Sequence, residues 1–212
     1  MWTFFLQPDV LSELNVQMNS LESAGITSVA PIMAGFRNLT TLNLAYNNLR
    51  QTDSKAISLL SVAVKNMKLK SLDLSGNYIK SNICQVLKAI STHLSRLLVN
   101  GCGIHHKELQ MLSTMDQVSK LEHLELASNG LFQHMDSLTT FITKLSGSLR
   151  YLNLDENMFH TSTVRTFCSM IGSLEVLVSL SISYNHFLPE DREVIAQTFP
   201  HLQIAKYKEW LF

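Results

Sequence analysis

The sequence predicts an α/β solenoid: short parallel strands forming one curved inner sheet, with helices stacked along its outer side. Three observations carry this. A leucine-spaced pattern, LxxLxLxxNxL, recurs along the chain. An asparagine or cysteine stands at one fixed place in each copy. The segments between copies carry apolar residues at helical spacing.

The copies are "LSELNVQMNSL" from Leu11, "LTTLNLAYNNL" from Leu39, "LKSLDLSGNYI" from Leu69 and "LSRLLVNGCGI" from Leu94. "LEHLELASNGL" follows from Leu121, "LRYLNLDENMF" from Leu149 and "LVSLSISYNHF" from Leu177. The polar column is Asn19, Asn47, Asn77, Cys102, Asn129, Asn157 and Asn185, at steps of 28, 30, 25, 27, 28 and 28 residues. The LxLx stretch reads as a strand whose leucines face the space between sheet and helices. Where the chain bends out of the strand, its backbone groups lose their ladder partners. A buried asparagine both donates and accepts, so it can satisfy groups that would each cost about 1–3 kcal/mol if stranded. Stacked copies therefore predict a ladder of asparagines. Cys102, a poorer hydrogen-bonder, is its expected soft rung.

Between strands, "ICQVLKAI" sets Ile83, Val86, Leu87 and Ile90 on one helix face. "LTTFITKL" does so with Leu138, Phe141, Ile142 and Leu145, and "VRTFCSMI" with Val164, Phe167, Cys168 and Ile171. Ile26, Val29, Ala30 and Met33, and Ile57, Leu60 and Val64, form two further stripes. "LPEDREVI" has helix-start signals, a proline followed by early acids. Helices are wider than strands, so the stack must curve with the sheet inside. The organisation expected is residues 1–10 as an N-terminal remnant or cap, 11–187 as seven repeats, and 188–212 as a helix, a final strand around Leu202 and Ile204, and a capping tail. Trp2, Phe4, Phe5 and Leu6 would be left from a preceding helix or cap; Tyr207, Trp210, Leu211 and Phe212 would cover the far end. Further domains N-terminal to residue 1, or a dimer edge there, are part of this expectation.

With these residues in view, the sequence resembles leucine-rich-repeat proteins, and its ~28-residue period with long helical inserts is similar to the ribonuclease-inhibitor type. That resemblance implies a horseshoe, spans about residues 11 to 204, and is nearly silent on function. Ribonuclease inhibitor itself is longer and richer in cysteine. The "PEDREVI" stretch at the last copy is similar to the C-terminal leucine-rich region of Tonsoku-like, a scaffold in replication-fork repair. This would imply a nuclear protein partner. A sensor or a ubiquitin-ligase substrate-recognition subunit is the remaining alternative; each would need a further domain.

Composition narrows the function classes. Lys+Arg and Asp+Glu balance at 17 each in 212 residues, which argues against a general nucleic-acid or anionic-membrane binder. The basic clusters "KNMKLK" (Lys65, Lys68, Lys70) and "KYK" (Lys206, Lys208) are small. Three cysteines, with no CxxC pair, favour a reducing, intracellular setting, cytoplasmic or nuclear. No apolar run reaches transmembrane length, and the opening "MWTFFLQPDV" lacks the parts of a signal peptide.

Function on such a scaffold comes from side chains pointing off the inner sheet. Its middle would hold Asp73, Arg96, His123, Glu125, Tyr151 and Asp155: a polar, mildly acidic strip suited to a protein partner with a basic patch or segment. No direct nucleic-acid or membrane contact is expected. His123, Glu125 and Asp155 could be cast as catalytic, but no nucleophile or oxyanion hole accompanies them. "CGIHH" (Cys102, His105, His106) resembles half a metal site without a second pair. No catalytic residue, cofactor or metal is therefore assigned.

Overall fold

The structure, a computed structural model, describes residues 10–50 and 53–204. The cluster expected to be left from a preceding helix or cap (Trp2, Phe4, Phe5 and Leu6), the group expected to cover the far end (Tyr207, Trp210, Leu211 and Phe212), and Lys206 and Lys208 lie outside these residues.

Each LxLx stretch forms a three-residue strand: β1 Glu13–Asn15, β2 Thr41–Asn43, β3 Ser71–Asp73, β4 Arg96–Leu98, β5 His123–Glu125, β6 Tyr151–Asn153 and β7 Ser179–Ser181. β8, Gln203–Ile204, follows the last helix, so Leu202 precedes the final strand rather than opening it. The eight strands form one sheet in chain order, every neighbouring pair parallel. Equivalent positions pair throughout: Leu14, Leu42, Leu72, Leu97, Leu124, Leu152, Leu180 and Ile204 form one row. From Leu42 to Leu180 this row is fully buried. The register follows from the leucine spacing, because a one-residue slip would turn the whole row to solvent.

The helices are α1 Glu22–Met33, α2 Ser54–Val64, α3 Asn82–Ala89, α4 His106–Leu112, α5 Met135–Thr143, α6 Val164–Gly172 and α7 Pro189–Thr198. Four of the five expected apolar stripes bury their main members; on α1 the stripe is Ile26, Ala30 and Met33, with Val29 half-buried. On α6 it is Phe167, Met170 and Ile171, and Cys168 stands half-exposed beside it. The reason is rotation: Cys168 falls at the edge of the buried arc, and Met170 fills the inner position. His105 and His106 open α4, where Glu108 Oε2 accepts the His105 N–H at 3.1 Å. At α7, Pro189 occupies the first turn and Asp191 Oδ2 accepts the Leu188 N–H at 2.8 Å. Local capping thus accounts for the "PED" of "PEDREVI".

The rungs run through the stack. Each Nδ2 donates to a carbonyl of the preceding repeat: Asn47 to Val16, Asn77 to Leu44, Asn129 to Val99, Asn157 to Leu126 and Asn185 to Leu154, at 2.8–3.0 Å. Each Oδ1 accepts the N–H of the preceding rung residue and of the residue two beyond it. For Asn77 these are Asn47 and Leu49, at 3.0 and 3.1 Å. Asn19 differs from the expected buried rung. It is exposed, and its Nδ2 reaches only Val16 and Gln17 of its own repeat. No preceding repeat stands before it among the described residues, so it has no carbonyl to bridge.

A second regularity was not foreseen. The residue just before each rung is left-handed in all seven repeats: Met18, Tyr46, Gly76, Gly101, Ser128, Glu156 and Tyr184, with φ between 54 and 67°. In the six from Met18 to Glu156 its N–H reaches a carbonyl of the next repeat, as in Tyr46 to Ser75 at 2.7 Å and Gly101 to Ala127 at 2.9 Å. Inter-repeat bonding thus outweighs the roughly 1–2 kcal/mol that a non-glycine residue pays there. At Gly76 a side chain is also barred by space, since a Cβ would stand 2.3 Å from Tyr46 Cδ1.

Cys102 occupies its rung but changes the loop below it. Its thiol bonds the Leu74 carbonyl at 3.1 Å, replacing the amide donor. It offers no amide oxygen, so the Ile79 N–H turns to the Asn77 carbonyl at 2.7 Å. Accordingly Tyr78 lacks the left-handed φ of its counterparts Ser20, Asn48, Gly103, Gly130 and Met158, and Lys80 takes one instead. Burial pushes this thiol up to about 12. A raised folded-state pKa means that stability is fully present below the ordinary thiol value of 9.0 and is lost as pH rises through about 12. Cys102→Asn is expected to restore the acceptor, raise the melting temperature at neutral pH by a few degrees (~1 kcal/mol), and flatten the loss of stability above pH 9. Thermal melts of both proteins across pH 7–11 check this; an unchanged or lower melting point at pH 7 would show that the loop cannot return to the amide-bonded form.

Candidate functional site on the inner sheet

Strand side chains alternate, so the residues flanking the buried leucines share the inner, helix-free face of the sheet. The register aligns Ser71, Arg96, His123 and Tyr151 in one row and Asp73, Leu98, Glu125 and Asn153 in the next. Beyond the strand ends, Ser75, Asn100, Ala127 and Asp155 continue the pattern.

Two of the six expected site residues, His123 and Arg96, converge on a third, Glu125. His123 Nε2 lies 2.8 Å from Glu125 Oε1, and Arg96 Nη2 lies 3.7 Å from the same oxygen. Asn100 Nδ2 donates to Oε2 at 2.8 Å. Burial would raise the Glu125 carboxyl; the bonds from His123 and Asn100, with the nearby His123 and Arg96 charges, outweigh it and hold the group below its usual value. The carboxylate is therefore already engaged on both oxygens, and its side chain is only 16% exposed. Arg96, at 48%, is the more accessible member of the pair.

Tyr151 stacks on His123, ring centroids 4.0 Å apart and 11° from coplanar. With Glu125 holding the imidazole edge, this makes a fixed aromatic surface on two adjacent strands. Burial, with the Glu125 and Asp155 charges, raises the Tyr151 phenol. Asp155 stands apart: its Oδ1 accepts Ser181 Oγ at 2.7 Å and the Ser183 N–H at 2.6 Å. Burial raises its pKa despite these bonds, and the Glu156 and Glu125 charges act in the same sense. Asp73 accepts the Ser75 N–H at 2.9 Å and is separated from Glu125 by Leu98.

The strip is therefore less acidic toward a partner than composition implies. Glu125 is neutralised in place, Asp155 braces the adjoining loop, and Arg96 with the His123–Tyr151 pair forms the accessible centre. Asn100 was missed as a site residue. It links Glu125 to the Ala127 N–H, which donates to its Oδ1 at 2.8 Å. Its place in the third outward-facing row was the available signal.

The histidines beyond the rungs lie elsewhere. His105 and His134 rings are 5.3 Å apart, and His106 Nδ1 meets Ser137 Oγ. Burial lowers the His134 pKa, helped by the His105 and His106 charges. Cys102 faces the core. Among the described residues no group of three or more His, Cys, Asp or Glu is placed to hold a metal ion. None of their helices is long and apolar enough to cross a membrane.

The repeating parallel strands, outer helices and internal asparagine rungs define the class of fold: an α/β leucine-rich-repeat solenoid. Leucine-rich-repeat family profiles match residues 38–60 and 65–87. Among solved structures, the leucine-rich repeat-containing protein LegL7 from Legionella pneumophila is similar, with a TM-score of 0.64 and 23% identity over 94% of this chain. A protein from Bacteroides fragilis superposes with a TM-score of 0.63 at 13% identity over 96% of this chain. The chain spans 66% of the first and 68% of the second. Both likenesses concern the fold. Comparison with curated protein sequences gave no match.

Proposed function

We propose that the chain is a non-catalytic binding module that holds a protein partner on its inner sheet, centred on Arg96, His123 and Tyr151. Leucine-rich repeats commonly serve as protein-interaction modules, which supports the general assignment. The observation that carries this site is the stacked, hydrogen-bonded His123–Tyr151 pair beside a half-exposed arginine. Tyrosine and arginine are enriched among residues that dominate binding, and here both are pre-set on rigid strands. Asp73 and the second oxygen of Asp155 flank this centre and suit basic groups of the partner. The same face would serve within a larger scaffold of the Tonsoku-like kind in the nucleus.

Arg96→Ala and Tyr151→Ala are each expected to weaken partner capture by about 30-fold or more, equivalent to ~2 kcal/mol. Melting temperatures should stay within a few degrees. Binding measured with purified partner checks this, and capture undiminished in the double variant would move the interface off the inner sheet.

A further inference from the structure

A second surface lies along the edge where the chain enters the strands. In consecutive repeats, three entry loops stand side by side: residues 34–41, 65–71 and 90–96. Stacking is direct, since the Lys70 N–H donates to the Thr40 carbonyl at 2.8 Å and the Ser95 N–H to the Lys70 carbonyl at 2.9 Å. These loops carry Arg37, Lys65, Lys68, Lys70 and Arg96 and contain no aspartate or glutamate. All five cations are exposed. Only Arg96 is paired with a carboxylate; among the described residues Arg37, Lys65, Lys68 and Lys70 form no salt bridge. Lys68 Nζ donates instead to Asn38 Oδ1 at 2.9 Å, spanning two repeats.

Helix ends explain only part of this. Lys65 caps the C-terminus of α2, where a cation is favoured by the helix dipole. Arg37, Lys68 and Lys70 lie beyond the last helical turn, outside that effect. In a chain of zero formal net charge, such a local excess of one sign is segregation.

We propose that this edge binds an extended acidic polypeptide segment, rich in Asp or Glu, running across the entry loops of β2, β3 and β4. The cations step along the stack at the strand spacing of ~4.8 Å, while alternate carboxylates on an extended chain recur every ~6.6 Å. One ligand carboxylate per loop can therefore be met by long lysine and arginine side chains. A single-stranded nucleic acid is the competing polyanion, and the edge fits it less well. Such ligands are held by aromatic rings alternating with cations, and these loops offer only Phe36, which is buried, and the His93 ring. The exposed Tyr46 and Tyr78 belong to the loops leaving the strands, at the opposite edge.

The test uses the full chain and two fluorescein-labelled probes: a peptide of glutamate alternating with serine, about twelve residues long, and an oligothymidine of equal charge. Fluorescence anisotropy is expected to show the peptide binding more tightly than the oligonucleotide. The Lys68→Glu/Lys70→Glu variant should weaken peptide binding about tenfold or more, Arg37→Glu should weaken it too, and added salt should do the same to the wild type. Tyr151→Ala should bind the peptide normally, which separates this edge from the inner-sheet reading. The inference is overturned if the oligonucleotide binds as tightly as the peptide, if charge reversal leaves affinity unchanged, or if the peptide does not bind at all.

Discussion

Replacing Asn129 by alanine is expected to destabilise the protein by about 4 kcal/mol and lower its melting temperature by ~8–16 °C. The size follows from what the amide holds. Its Oδ1 accepts the N–H groups of Cys102 and Ile104, at 3.2 and 2.9 Å, and its Nδ2 donates to the Val99 carbonyl at 3.0 Å. All three groups lose that partner in the variant, inside a core that excludes water. The Leu126 and Ala127 carbonyls, which Asn129 also bonds, keep Asn157 Nδ2 and the Gly101 N–H. Three stranded groups at about 1–3 kcal/mol each bracket the figure. Solenoid stability is carried by contacts between neighbouring repeats, so a broken central rung should also reduce cooperativity and the urea m-value. Asn19→Ala is the control. Its side chain bonds only its own exposed loop, and its bridging N–H to Asn47 survives the substitution, so a loss below about 1 kcal/mol is expected. Equal losses at the two positions in urea titrations would mean that the bridging side-chain bonds, which only Asn129 makes, are not what stabilises the stack.

Phe167→Ala should be comparably severe, at about 3–5 kcal/mol. The Phe167 ring is fully buried on α6, with centroids 5.5 Å from Phe159 and 5.4 Å from Phe187. Those two phenylalanines end the sixth and seventh copies of the motif, where earlier copies have leucine or isoleucine. The ring therefore joins one helix to the turns of two repeats, and truncation leaves a cavity that three backbones cannot close together. Phe167→Leu should cost less than half as much. Amide exchange should quicken in α6 and α7 first, because each repeat leans on its neighbours. A loss under 1 kcal/mol for the alanine variant would show that the Phe159–Phe187 contact suffices without it.

The fold was legible because its determinants repeat. Leu42, Leu72, Leu97 and their equivalents specify both strand and facing, and the asparagine column specifies where the chain leaves the sheet. Helices were harder where the stripe was short. α4 has only Leu109 and Leu112 fully inward, with Glu108 buried as a cap, so its pattern is too brief to read in isolation. The outward positions were legible as a set, but their electrostatics were not. Glu125 counts as an acid in the sequence, whereas the fold sets His123, Asn100 and Arg96 around it.

The sequence by itself determined the repeat, the order of the strands and which side chains enter the core, since periodicity dictates facing wherever one side must be dry. The tertiary structure alone decided which charges are spent internally and which remain outward. It also brought Arg37, Lys68 and Arg96 onto one edge, across 59 residues of chain, and made Cys102 felt in the turn at Tyr78. Those outcomes depend on distances between repeats, which arise when the modules stack and are encoded in no single one of them.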